Sequence, residues 1–430
     1  MQQVCYTKTL ECYGEYDLAV IGGGPAGVCA AISAARKGLR VILIEATAML
    51  GGMATSGLVG PFMTNYDREA KEKTVGGIFE EIINRLKVYS AVIPPEETDA
   101  PTLHTSFIER YHHHVTPFDP FYLQIILDDM VKESGAEILC YTKFVDCIKK
   151  DGKIEAVILA APEGLISVSA KLFVDATGIG SVAEKAEVPT YKGHEESGVP
   201  QPATLMFEVT NVDNEEYENY HARPEYPVKA YKMPDDRRYK VNHYHVFGVD
   251  AANAKSLTDA HIEARHQVLD AYKVLKDKTP GFEKATISDV ASVLGVRESR
   301  HIEAEYKITV EDVTKGTKFD DRIATYGYGL DVHRRSLNES GNFKIEIANR
   351  YYIPFRSLLP KGCTNLLVAG KTIGCESQAV GGMRCMPAAM AMGQAAGTAC
   401  ALALQTDKSI RDIDIKKLQE QLVSDGAILD

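Results

Sequence analysis

Hydrophobic positions along the chain fall in runs whose spacing predicts its elements. YDLAVI, from Tyr16, is a continuous apolar run ending in glycines, the pattern of a buried parallel strand that feeds a turn. PAGVCAAISAARKG then carries small residues at helical spacing, with Pro25 in the first turn and Gly38 as a stop. LRVILIE is a second β-branched run, so the three segments predict one βαβ unit. From about Met53 to Asp119 the regularity lapses through NYDREAKEK, VIPPEETDAP and YHHH, predicting an excursion from the first domain with the histidines from His112 in a solvated loop. A helix pattern resumes in PFYLQIILDDMVKESG. Three strand-like segments follow, AEILCYTKFVDCIKK, KIEAVILAAP and LISVSAKLFVDATG, the first two forming a hairpin about KDGK.

Between Glu184 and Pro360 the pattern changes to alternating aromatic and polar strands such as ATLMFEVT and KVNHYHVFGV, with one long polar helix around LTDAHIEARHQVLDAYKVLKD. This stretch reads as a second domain inserted in the first. The buried-strand pattern returns in TNLLVAGK, and MPAAMAMGQAAGTACALALQ follows as a helix rich in Ala and Gly on every face, expected to pack closely against a sheet or a flat ligand.

A chain of 430 residues, 45% hydrophobic and 25% charged, has room for two or three domains with a sizeable core. Its formal net charge of -11 and lack of a basic stripe argue against a nucleic-acid partner. MQQVCYTKTLECYGE lacks the basic start and apolar run of a leader, and no later run is read as a membrane span. The nine cysteines contain no C-x-x-C pair and no zinc or iron–sulfur spacing. They are expected as buried thiols in a reducing compartment, which predicts a cytoplasmic protein without a metal.

The spacing of Gly22, Gly24 and Gly27 in GGGPAG, between an apolar run and a helix, matches the dinucleotide fingerprint. The first glycine permits the tight turn, the second lets backbone approach a pyrophosphate, and the third lets helix and strand pack closely. The helix start offers free N–H groups and the positive end of its dipole. Glu45 stands about 20 residues on, where a carboxylate accepts hydrogen bonds from an adenosine ribose and repels a 2′-phosphate, which disfavours NADP. Between NAD and FAD the distant returns decide: LGGMATSG after the acid, DATG closing a later strand, and NLLVAGK near the C-terminus. A simple NAD-binding domain needs none of them, so FAD is the expected cofactor.

Together with GVRESR, YYIPFRSLLPKGCTNLLVAGKTI and GGMRCMPAAMAMGQAAGTA, these blocks resemble the bacterial FAD-dependent oxidoreductases, flavoproteins distantly related to those of succinate dehydrogenase and fumarate reductase. The resemblance covers most of the chain. It implies an α/β fold with an FAD-binding Rossmann-like domain of the glutathione-reductase type and an inserted α+β substrate domain. The expected limits are 1–60, 120–185 and 360–405 for the FAD domain, 61–119 and 186–359 for the substrate or cap domain, and 406–430 for a C-terminal helical tail. Carried over by position, the resemblance implies Gly22, Gly24, Pro25, Ala26 and Gly27 at the pyrophosphate, with Glu45 and Ala46 at the adenosine ribose. Gly51, Gly52 and Met53 would lie near the ribityl chain and flavin, and Ala176, Thr177 and Gly178 along the cofactor. Gly370 and the helix start at Met386 and Ala388 would meet the flavin's pyrimidine edge. The family often carries His and Glu in the segment matching CESQAVGG, where this chain has Ser377 and Gln378. If that His is the acid or base in relatives, this chain uses another group or another substrate.

Hydride transfer to or from flavin needs a proton donor or acceptor beside the substrate. Arg384 in GGMRC is the first candidate for the substrate side, with a planar fork suited to a carboxylate or carbonyl; its bland alternative is a structural arginine bonding loop carbonyls. Arg297 and Arg300 in GVRESRHIE, and Arg356 in IPFRSLLP, come next, against pairing with acids such as Glu298. His243 and His245 alternate on one face of a predicted strand, and of the two His245 is kept as a candidate. A metal there would need a third ligand that no recognised spacing supplies. His301 is either a proton acceptor or a surface group. The expected activity is hydride transfer between flavin and a small polar organic substrate, by dehydrogenation next to a hydroxyl or carboxylate or by C=C reduction. A flavin monooxygenase, or an electron-transfer flavoprotein subunit serving an external acceptor, are the alternatives, and homo-oligomerisation is left open.

Overall fold

The computed structural model describes residues 5, 7–108, 111–220, 229–336, 338–339 and 343–430. Residues 1–4 and 6, part of the segment expected not to be a leader, lie outside the described residues. The first βαβ unit is β1 (Glu11–Ile21), α1 (Pro25–Arg36) and β2 (Val41–Ile44). Then come α2 (Ile78–Val88), α3 (Pro120–Ser134), β3 (Glu137–Leu139), β4 (Lys143–Lys150), β5 (Lys153–Ala161) and β6 (Gly164–Asp175). β3, β2, β1 and β6 pair in parallel in that order, and the late strand Leu366–Val368 joins β6 in parallel. β6 is shared: Gly164–Ser169 pairs antiparallel with β5, and Phe173–Asp175 pairs with Leu366–Val368.

The hairpin of β4 and β5 turns on Asp151 and Gly152, both at positive φ (49° and 74°), the conformation of a type I′ turn. AEILCYTKFVDCIKK, expected as one strand, breaks into β3 and β4 on opposite edges of the sheet. Tyr141 between them takes φ 55°, which ends the extended backbone.

Alternate strand residues face opposite cores. Leu18, Val20, Leu43, Val174 and Leu367 join α1 and the helix Met386–Gln405, while Ala19, Ile21, Ile44, Phe173 and Leu366 join β5 and the short helix Ser181–Lys185. A Cβ on Gly393 would lie 2.0 Å from the Ala26 carbonyl oxygen, and one on Gly397 2.2 Å from that of Ala30. The Ala/Gly-rich helix therefore packs closely against α1, in the core that both share with one face of the sheet. By length and composition it is apolar enough to cross a membrane, contrary to the sequence reading, and 83% of that window is buried inside the protein.

A separate core spans residues 203–294, where an antiparallel sheet of Thr286–Val290, Phe207–Thr210, Arg238–Asn242 and Lys229–Lys232 packs with the helix Ala254–Lys278. The 61–119 stretch, expected with this unit, mostly packs elsewhere. Phe62, Ile78, Phe79, Ile82, Ile83, Leu86 and Phe118 share the core of α1, and residues from Ile308 to Leu359 join it too. The tail forms the helix Ile415–Ser424, whose Leu418 and Leu422 are fully buried in that core.

Candidate active site

Ile44, Ile21, Asp175 and Val368 lie level in the parallel sheet. Their strand ends deliver Glu45, Gly22–Gly27, Ala176–Gly178 and Gly370 to one edge, the carboxyl edge at which open α/β sheets bind ligands. Gly22, Gly24, Pro25, Gly52, Met53, Thr177 and Gly178 are half-exposed amid buried neighbours and outline a groove. Gly22 (φ 105°) holds the turn under the Ala176 carbonyl, which a Cβ would approach to 2.5 Å. A Cβ on Gly27 would lie 1.8 Å from the Gly22 carbonyl oxygen, whereas one on Gly24 meets nothing within 4 Å. α1 begins at Gly24 with no side-chain cap and no acid in its first turn, so its orphan N–H groups form an open cradle for an anion. A pyrophosphate fits this cradle.

Glu45 braces the cradle. Its Oε2 accepts from the Gly23 N–H at 2.8 Å and its Oε1 from the Thr47 N–H at 2.7 Å, while Ala46 beside it is exposed. Asp175, fully buried, accepts from the N–H groups of Thr177, Val182 and Ala183 and from Thr177 Oγ1, which shapes the DATG turn; burial raises its pKa against these bonds.

At Met53, and at Lys371 beside Gly178, the groove meets a cavity of about 540 Å³, whose wall also includes Cys385 and Met386. Its other walls come from the 203–294 unit (Thr204, Met206, Lys229, Tyr231), from Gly295–Arg297, and from Tyr328, Asp331 and His333. Asp331 ties two of these groups: its Oδ2 accepts from His333 Nε2–H at 2.9 Å and from Arg384 Nη2 at 3.1 Å. Burial, then Arg297, pushes His333 down to about 4 despite Asp331, so the ring is neutral near pH 7. Arg297 donates from Nη1 to Pro202 O (2.8 Å) and Thr204 Oγ1 (2.7 Å). Burial, then Arg384, depresses its guanidinium despite Asp331, but an arginine keeps its proton at neutral pH. Lys371 donates to the Val296 carbonyl, and burial followed by Arg384 lowers its pKa to about 8.

Of the arginines singled out in the sequence, the structure brings Arg384 and Arg297 to the cavity and leaves two outside its lining. Arg300 bonds Glu184 (2.9 Å) and the Ile179 carbonyl (3.3 Å), behind the DATG turn. Arg356 is 48% exposed, pairs with Asp321 at 3.0 Å and lies over the Tyr306 ring. The strand expected to carry His243 and His245 ends at Asn242, so the two do not share a strand face. His245 instead meets the His333 ring edge-on at 4.9 Å, behind the cavity lining, where burial lowers its pKa to about 2. His112 and His114, expected as solvated, are buried, and His112 lines the cavity. His301 is fully buried, not a surface group, with Nδ1 3.6 Å from Cys375 Sγ and Nε2 3.4 Å from Glu298 Oε1. Ser377 sits in the same network: its Oγ donates to Glu298 and accepts from Arg335 Nη2 at 2.7 Å, two residues beyond His333, while Gln378 is half-buried. Asp331 and His333 are not among the residues singled out in the sequence. Their D-x-H spacing at the end of a short strand was the available signal.

The family model described as FAD dependent oxidoreductase matches residues 17–422. Digeranylgeranylglycerophospholipid reductase 2 of Methanothermobacter thermautotrophicus is 27% identical over 177 residues, 41% of this chain and 43% of that protein. The digeranylgeranylglycerophospholipid reductase of Sulfolobus acidocaldarius is 27% identical over 168 residues, 38% of this chain and 34% of that one. The chain thus spans less than half the length of these two curated relatives. Among solved structures, the flavin-dependent brominase Bmp2 has a similar fold, with a TM-score of 0.50, 14% identity, and coverage of 95% of this chain and 83% of that one.

Proposed function

The chain belongs to the FAD dependent oxidoreductase family, and from that premise we propose that it transfers hydride between FAD laid along the groove and an organic substrate held in the cavity. One observation carries this reading: Met53 belongs both to the groove and to the cavity lining, and Lys371 of that lining lies against Gly178 of the groove. The cradle of Gly22, Gly24, Pro25, Ala26 and Gly27 would hold the pyrophosphate, with Glu45 and Ala46 at the ribose. Gly51, Gly52, Met53, Ala176, Thr177, Gly178 and Gly370, with the helix start at Met386 and Ala388, would hold the rest. Bound FAD supplies a two-electron centre that accepts or returns hydride. The chain's own residues do the remainder. Arg384 and Arg297 orient the substrate, and Asp331 with His333 handles the proton, a role Ser377 is not placed to fill. Asp331 Oδ2 holds Nε2–H and so fixes the tautomer, and burial keeps the ring ready to accept rather than donate.

The division of β6 between β5 and Leu366–Val368 supports a glutathione-reductase-type FAD domain, and the separate core of 203–294 supports an inserted substrate domain. A neutral His333 accepts the proton that dehydrogenation releases, so this site favours dehydrogenation next to a hydroxyl or carboxylate; the reductive direction, to which the relatives' names point, would need a proton donor in its place. The test is the visible spectrum of the purified protein, identification of the released cofactor by mass, and an anaerobic screen of enoates and hydroxy acids for reoxidation or bleaching of the flavin. Expected is FAD that a hydroxy acid bleaches; reoxidation of the reduced flavin by an enoate instead sets the reaction in the reductive direction and removes His333 as the proton acceptor. A protein that neither holds nor takes up FAD refutes the reading, and hydroxylation coupled to oxygen uptake replaces it with a monooxygenase.

A further inference from the structure

A chain of formal net charge -11 lines its cavity with four cations, Lys229, Arg297, Lys371 and Arg384, and, among the described residues, one carboxylate, Asp331. The cations are not equivalent. Lys371 Cε lies 3.7 Å from where a Cβ on Gly178 would stand, which places this side chain toward the cofactor groove. Arg384 is already paired with Asp331. Arg297 is only 9% exposed, donates to two neutral oxygens, and has no ion pair with any described residue. Burying an unpaired cation costs several kcal/mol in a protein interior, so a ligand that brings an anion to Arg297 recovers what the free site lacks. The cavity also collects Met53, Met63, Met206 and Met386, four of the chain's eleven methionines, beside Val59 and Val296. Thioether chains are unbranched and polarisable and adapt to flexible or flat apolar groups.

We infer that the substrate is an amphiphilic organic anion, with an oxyanion head seated on Arg297 beside Arg384 and an apolar body against the methionine wall. The head is a carboxylate or a phosphate ester. This deepens the proposed function and rests on its placement of the substrate in the cavity.

The holoprotein is titrated by calorimetry with hexanoate, octanoate, decanoate and cinnamate, with cinnamyl alcohol as the neutral counterpart, and with benzoate against phenyl phosphate to separate the two heads. Calorimetry reads binding whether or not flavin is present, and the flavin spectrum is recorded separately, so loss of the FAD reading and loss of this inference are distinct results. Cinnamate is expected to bind about tenfold to a hundredfold tighter than its alcohol, the worth of charge-assisted hydrogen bonds. Each added methylene from hexanoate to decanoate should tighten binding by about fourfold. Arg297→Met should bring acid and alcohol within about twofold of each other, while the surface control Lys255→Met keeps the wild-type preference. Equal affinity of acid and alcohol for the wild-type protein overturns the inference, and that comparison decides even where Arg297→Met does not fold. An Arg297→Met protein that folds and keeps its acid preference overturns it as well, and loss of FAD from the same variant would assign Arg297 to the cofactor.

Discussion

Gly24 and Gly27 belong to one motif but have separable duties. A Cβ at Gly27 would stand 1.8 Å from a backbone oxygen, a clash no rotamer relieves, so Gly27→Ala is expected to fail to fold or to melt far below wild type. At Gly24 the added methyl meets open space. Gly24→Ala should therefore stay within about 1 kcal/mol of wild-type stability by denaturant titration, yet retain less FAD. Full FAD content in that variant would remove Gly24 from the pyrophosphate cradle. His333→Gln keeps a donor for Asp331 but loses the proton acceptor, and kcat is expected to fall by about 10²–10⁴ with FAD content unchanged. An unaltered kcat would move the proton to another group. Motif glycines were legible in the sequence because their duties are local. The arginines were not, because Glu184 stands 116 residues from Arg300 and Asp321 stands 35 from Arg356, and nothing in the local text separates these from Arg297 and Arg384.

At the scale of elements, the cofactor groove depends on α1 and the helix Met386–Gln405 standing close together, because the start of α1 forms the groove and the other helix begins at Met386 in the wall of the adjoining cavity. Gly393 is the point of closest approach, facing the Ala26 carbonyl. Gly393→Ala is expected to push the helices apart, destabilising the protein by about 1–3 kcal/mol and lowering FAD retention together. Lower stability with undiminished FAD affinity, measured at a temperature where the variant is folded, would show that the groove tolerates the shift. β1, α1, β2 and the β4–β5 hairpin were legible, since each is written in a few consecutive residues. α2 was also written there, with Ile78, Phe79, Ile82, Ile83 and Leu86 at helical spacing, but the charged and proline-rich text around it masked the period. The position of β3 at one edge of the sheet and β4 at the other follows from long-range pairing, which no local pattern records.

Across the whole molecule, buried histidines set opposing limits on stability. His333 and His245 have folded pKa values of about 4 and about 2, both lowered mainly by burial from the ordinary 6.5. Below pH 6.5 the unfolded chain takes up protons that the folded one refuses, so stability falls as pH drops toward 4, by up to about 1.4 kcal/mol per pH unit for each ring. His301 behaves in the opposite sense. Burial pushes it down, but Cys375 and Glu298 outweigh burial and raise it to about 10. Its contribution is complete below pH 6.5 and is lost as pH rises from 6.5 toward 10. Melting temperature against pH should therefore peak near 6.5 and fall on both sides. His333→Gln should flatten the acid limb, and His301→Gln should lower the peak and flatten the alkaline limb. An acid limb already flat between pH 5 and 6.5 in the wild type would mean that the folded protein accepts those protons, so that the site's histidine is not held neutral and its role as acceptor near pH 7 loses its physical basis.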